Sequence, residues 1–190
     1  ESITVKGANI RLGANPGLRF AATVEKNKWY DAHYSEEMYT YADSNNLRFG
    51  TIVAPSELLE GADLVTAYLG GNPAVLDILA KKIYAQDAET LTFTGVLTQI
   101  PQKTSAYAMK LTAAFYICTR ENESAQWEYR FSETVERSYF ECAQAALKTY
   151  EALENPTPEQ QKALFRLREL VGTVDNDDSL WLGGEENRWY

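Results

Sequence analysis

In the segment "KLTAAFYICTRENESAQWEYRF" apolar side chains recur at every second position in two runs, and a period of two marks strands with one face buried in a sheet. Leu111, Ala113, Phe115 and Ile117 form one row; Trp127, Tyr129 and Phe131 form the next, with Glu128 and Arg130 on the opposite side. Parity sets the turn between them. A five-residue loop "ENESA" places Ile117 against Tyr129 and Phe115 against Phe131, so that the apolar rows coincide. The same register puts Cys118 on the outer face, opposite Glu128, and Tyr116 opposite Arg130. Further strands are expected at "SITVKG", "LRFGTIVAP", "LVTAYL" and "LTFTGVLTQI", with Pro55 and Pro101 as strand terminators. The segment "GNPAVLDILAKKIYAQD" fits two descriptions: a helix entered through Asn72 and Pro73, or an extended run between strands.

The last third changes period. In "RSYFECAQAALKTYEAL", Tyr139, Ala143, Ala146, Leu147 and Tyr150 share one helix face. A second helix begins after "ENP", where Thr157 and Gln160 fit a capping box, Pro158 takes the first helical position and Gly172 closes the end. Short punctuated strands followed by helices predict a mainly β chain, α+β overall: an antiparallel β-sandwich, Ig-like or jelly-roll-like, with a C-terminal helical hairpin. The expected organisation is a sandwich over residues 1–135, helices packed on the sheet over 136–172, and an acidic tail over 173–190 that Trp181 could dock.

The 190 residues are 45% hydrophobic, enough for a core of one domain with an appendage, and no run approaches the roughly 20 apolar residues of a membrane span. A net charge of -9 repels a phosphate backbone, so neither nucleic acid nor an anionic membrane is an expected partner. Tyr- and Thr-rich strands and a cysteine count of two lean toward an extracellular chain; Cys118 and Cys142 permit one disulfide or two separate buried thiols. The sequence opens on Glu1, so no targeting signal is read from it.

Motifs of catalysis are sparse. His33 is the one histidine, and no G-x-S-x-G elbow accompanies it. No Cys or His pair has zinc-ligand spacing, and the "DNDD" run from Asp175 lacks the glycine of a calcium loop, so no metal and no cofactor are expected. A glycosidase needs two placed carboxylates, and nothing marks a pair among the many acids, Asp31, Glu36 and Glu37 included. The stretch "KWYDAHYSEEMYTYAD" is the most suggestive surface feature. Trp29, Tyr30, Tyr34, Tyr39 and Tyr41 lie among Asp, Ser and Glu, and flat rings beside polar groups suit a glycan or a surface partner.

Two arginines complete the inventory. With "GANPG" as a turn, Ile10 faces Phe20 and Leu12 faces Leu18, leaving Arg11 opposite Arg19. Like charges so placed need carboxylates nearby. Glu25 and glutamates of the C-terminal helices are the candidates, so Arg11 and Arg19 are expected to tie the sheet to the helical segment.

The succession "GANIRLGANPGLRFAATVE", "FGTIVAPSELL", "LTFTGVLTQIP", "KLTAAFYIC" and "YRFSETVERSYFECAQAAL" resembles a recurrent β-rich module of secreted and cell-surface multidomain proteins of Gram-positive bacteria. There it sits beside surface-attachment, Ig-like and dockerin-type modules. The resemblance spans about residues 7 to 147; it implies an extracellular location, a β-rich fold and neighbouring domains, and carries over no catalytic residue. The expected function is non-catalytic binding of a glycan or cell-surface partner, with a structural spacer as the alternative and a glycosidase-type enzyme behind both.

Overall fold

The computed structural model describes residues 3–13, 15–26, 46–172 and 189–190. The strands are β1 (Ile3–Arg11), β2 (Gly17–Glu25), β3 (Leu47–Pro55), β4 (Leu76–Leu79), β5 (Ala85–Gln86), β6 (Thr90–Thr98), β7 (Leu111–Thr119), β8 (Glu128–Phe131) and β9 (Val135–Arg137). The helices are α1 (Leu64–Leu69), α2 (Thr104–Ala108), α3 (Tyr139–Glu151) and α4 (Pro158–Gly172). The chain is β-rich, with one sheet in the order β1-β2-β6-β5 and a second, antiparallel in its described pairings, in the order β4-β3-β7-β8, with β9 also on β7. It forms two compact units, the first from residues 1–6, 20–95 and 111–136, the second from 7–19, 96–110 and 137–190.

In the first unit, antiparallel pairing sets Phe49 opposite Ile117, Thr51 opposite Phe115 and Val53 opposite Ala113. This is the expected apolar row of β7, and all of it is buried. Phe93 of β6 meets it, with ring centroids 5.0 Å from Phe49 and 5.7 Å from Phe115. Gly95 lets the backbone come closer still, since a Cβ there would lie 2.5 Å from the Thr51 side chain. Thr51 is fully buried, and its hydroxyl has no hydrogen-bond partner among the described residues. Burying an unpaired hydroxyl costs free energy that a methyl of equal size does not. Thr51→Val is therefore expected to stabilise the protein by about 1 kcal/mol in a chemical denaturation curve; a lower midpoint would show that the hydroxyl is bonded.

Two sequence expectations are corrected in this unit, and one left open is decided. The β7–β8 register pairs Tyr116 with Phe131, Ile117 with Arg130 and Cys118 with Tyr129, one residue away from that expected for the "ENESA" turn. Tyr129 and Phe131 thereby share the face of Tyr116 and Cys118. That face is apolar as well: Ile52, Ala54, Ala114, Tyr116 and Cys118 are covered by Leu59, Leu64 and Ala67. A strand buried on both faces gives parity no polar side to exclude. "LVTAYL" is helix α1, because Asp63 accepts hydrogen bonds from the Thr66 amide (3.0 Å) and hydroxyl (3.1 Å) and buries Leu64 and Ala67 one turn apart. Residues 72–86, read two ways above, are turn and strand rather than helix: Asn72 accepts from the Ala74 amide (2.9 Å) in an Asx turn, and β4 follows.

In the second unit the helices form where expected. Ser138 and Glu141 close a reciprocal capping box at α3, and Thr157 and Gln160 do the same at α4, at 2.7 and 3.2 Å. Ala143, Ala146 and Leu147 of α3 pack against Leu167 and Val171 of α4, with Ile10, Leu12 and Tyr190 at the edge. Small residues on α3 allow that approach. Cys118 and Cys142 are not joined in a disulfide; Cys118 is buried in the first unit and Cys142 in the second, where burial pushes the Cys142 thiol up to about 12.

Candidate functional site

The expected binding residues Trp29, Tyr30, Tyr34, Tyr39 and Tyr41 lie outside the described residues, as do His33, Asp175 and Trp181. Two other assemblies of aromatic and polar side chains stand out, one in each unit.

The first sits on the outer face of the second sheet. Tyr116 lies across β3, over Gly50, which pairs opposite it and has no side chain in the way. Its hydroxyl donates to Asp77 Oδ1 (2.8 Å), while Tyr68 of α1 donates to Asp77 Oδ2 (2.6 Å). Tyr129 and Phe131 complete the cluster, with centroids 5.3 and 6.1 Å from Tyr116. Desolvation and the Asp77 carboxylate push both phenols, Tyr68 and Tyr116, well above the usual range. Beside them Arg48 and Arg120 lie over the Trp127 ring, at 4.5 and 4.4 Å from its centroid. The guanidiniums crowd that indole, and the other rings pack on one another, so this cluster is an outer core that pins α1 and β4 to the sheet.

The second assembly is a cleft of about 580 Å³ wholly within the second unit. Its walls come from distant parts of the chain. The β1–β2 turn supplies Leu12, Asn15 and Pro16; the segment after β6 supplies Gln99, Ile100 and Gln102; Tyr107 of α2, Tyr139 of α3, and Arg166, Glu169 and Leu170 of α4 complete it. Side chains fix the turn: Arg11 Nε donates to the carbonyl of Asn15 (2.8 Å), and Arg166 of α4 donates to that of Gly13 (3.3 Å). Arg166 thus adds a polar contact from α4 to the hairpin, whose Ile10 and Leu12 pack at the helix cluster, and Arg11 bonds within the turn. Arg19 donates to Asn9 Oδ1 at 3.4 Å.

Tyr107 and Tyr139 meet edge to face at 5.1 Å, are almost fully buried and line the cleft. Burial beside Tyr107 pushes the Tyr139 phenol up to about 12. Gln99 holds a left-handed backbone at φ 59°, a conformation that costs a residue with a Cβ free energy. Sequence reasoning missed this site. Pro101 marked only a strand end, and Tyr139 counted only as a helix-face residue.

The raised phenols carry a pH dependence. Tyr116 and Tyr139 stay protonated in the fold at a pH where the unfolded chain, near 10, ionises them. Above that pH the unfolded state binds fewer protons, so stability is whole below about pH 10 and falls as pH rises, by at most about 1.4 kcal/mol per pH unit per group. Urea midpoints measured from pH 8 to 11.5 are expected to drop above 10, less steeply for Tyr139→Phe.

Among the described residues, no three His, Cys, Asp or Glu side chains cluster so as to hold a metal ion. Comparison of the chain with protein-family models, with curated proteins and with solved structures found no match.

Proposed function

We propose that this chain is a non-catalytic extracellular binding module that takes a glycan, free or on a cell surface, in the cleft of the second unit. One observation carries the reading: the amide-bearing residues Asn15, Gln99 and Gln102 line one cleft together with apolar Leu12, Ile100 and Leu170. A side-chain amide both donates and accepts, as a sugar hydroxyl does, and apolar side chains suit the C–H faces of a pyranose. The volume falls in the range of small-ligand sites, roughly 300 to 1,000 Å³. Arg166 and Glu169 bring one charge of each sign, which favours a neutral ligand. Glu169 is the sole carboxylate lining the cleft among the described residues, whereas glycoside hydrolysis uses two. An extracellular setting is compatible with thiols as enclosed as Cys118 and Cys142, at 1% and 0% exposure.

The test is affinity electrophoresis through gels cast with plant, host and bacterial polysaccharides. Gln99→Gly removes an amide and relieves the left-handed strain together, so it is expected to raise stability by up to about 1 kcal/mol while abolishing retardation. Retardation unchanged in Gln99→Gly would move the site elsewhere. A second reading, a spacer between neighbouring domains, is favoured by the burial of Tyr107, Tyr116 and Tyr139 at 3 to 4% exposure. It is the outcome if no polysaccharide retards the wild-type chain.

A further inference from the structure

A separate feature of the second unit, independent of the cleft reading, is the way Tyr190 is held. Its backbone exchanges both hydrogen bonds with Ala8 of β1, the Tyr190 amide donating to the Ala8 carbonyl at 2.8 Å and the Ala8 amide donating back at 3.0 Å. This is the pairing of two antiparallel strands, and β1 is the end strand of its sheet. Arg137 Nε donates to the same Tyr190 carbonyl at 2.6 Å. Gly7 has φ +107°, and a Cβ there would collide with the Tyr190 carbonyl, so the strand edge is shaped for a closely approaching backbone.

The side chain is read too. The Tyr190 ring packs on the cluster of Ala143, Ala146, Leu147, Leu167 and Val171. Its hydroxyl lies 3.0 Å from Thr149 Oγ1, and Thr149 donates to the carbonyl of Ala145 at 3.1 Å. A threonine hydroxyl has one proton. With that proton given to Ala145, Thr149 can only accept from Tyr190, and a phenylalanine in the slot leaves a nearly buried oxygen without its donor.

We propose that the Gly7–Ala8 edge of β1, with Arg137 and Thr149, is a tyrosine-selective strand-acceptor site. The chain's own Tyr190 caps it, and it takes an extended peptide bearing a tyrosine when that cap is removed. Backbone pairing supplies affinity without regard to sequence, and the slot ending at Thr149 supplies the selectivity, as in other strand-addition sites. The occupant in view defines the ligand chemistry: an extended backbone, an aromatic ring and a hydroxyl donor.

The probe is a fluorescein-labelled peptide, Glu-Asn-Arg-Trp-Tyr with an amidated end, titrated by anisotropy against the full chain carrying Tyr190→Ala. Saturable binding is expected, about tenfold or more tighter than to the wild-type chain, whose own Tyr190 competes at high effective concentration. A peptide ending in Phe should bind several-fold more weakly to Tyr190→Ala, and Thr149→Val in that background should remove the difference. Equal binding to wild type and Tyr190→Ala, no binding to folded Tyr190→Ala, or no preference for Tyr over Phe would overturn the proposal. If Tyr190→Ala does not fold, Tyr190→Phe serves, since it loses only the hydroxyl contact. It should bind the tyrosine peptide more tightly than wild type does, and equal affinity would overturn the proposal.

Discussion

Gly50→Ala is expected to lower the unfolding free energy by about 3 to 5 kcal/mol and Tm by roughly 10 °C. A Cβ at this position falls inside the Tyr116 ring. Glycine is needed for lack of bulk, since Tyr116 crosses β3 there on its way to Asp77 of β4. Moving the ring gives up its hydrogen bond to a carboxylate and its contacts with Tyr68, Tyr129 and Phe131. The two costs belong to one event, so they do not add independently of Tyr116. In the double variant Gly50→Ala/Tyr116→Ala the collision is gone, and the loss should be smaller than the sum of the singles by at least about 1 kcal/mol. Thermal unfolding of the three variants checks this, and additive losses would mean that the ring does not lie over Gly50.

Phe93→Ala carries a comparable cost of about 3 to 5 kcal/mol, for the different reason that it leaves a cavity. Phe93 is fully buried between Phe49 and Phe115, which belong to neighbouring strands of the other sheet. Strand backbones cannot collapse into the vacated space without breaking ladder bonds, so the void persists. Phe93→Leu should recover more than half of the loss in guanidinium denaturation. A loss below about 1 kcal/mol for Phe93→Ala would contradict a core built around that ring.

What could be read in the sequence was local. Helix α3 was legible because Tyr139, Ala143, Ala146, Leu147 and Tyr150 recur at helical spacing, and α4 because Thr157 and Gln160 announce its start three residues apart. The inner row of β7 was legible because Leu111, Ala113, Phe115 and Ile117 are apolar at every second position. The outer row failed as a guide, since Ala114, Tyr116 and Cys118 are buried too, and a one-residue change of register then costs nothing in apparent polarity. Helix α1 was hidden by its β-branched and aromatic content, and the signal that outweighed it was Asp63 at the cap with Gly70 and Gly71 at the end.

The cleft was least legible. Asn15, Gln99, Gln102, Tyr139 and Arg166 are spread over about 150 positions of the chain and share no motif. Only the closing of the chain brings them together. Arg11 and Arg19 were expected to meet carboxylates; among their contacts, Arg11 donates to the Asn15 carbonyl and Arg19 to the Asn9 amide oxygen, groups that charge parity along the sequence does not point to.

The most direct measurement is a nitrogen-15 correlation spectrum recorded during titration with soluble fragments of whichever polysaccharide retards the protein. The side-chain amide signals of Asn15, Gln99 and Gln102 are expected to move together along one saturation curve, while the Trp127 indole signal of the outer core stays in place. Movement confined to the Trp127 face, or to residues outside the cleft, with the three amides unmoved at saturation, would contradict the assignment of binding to the cleft.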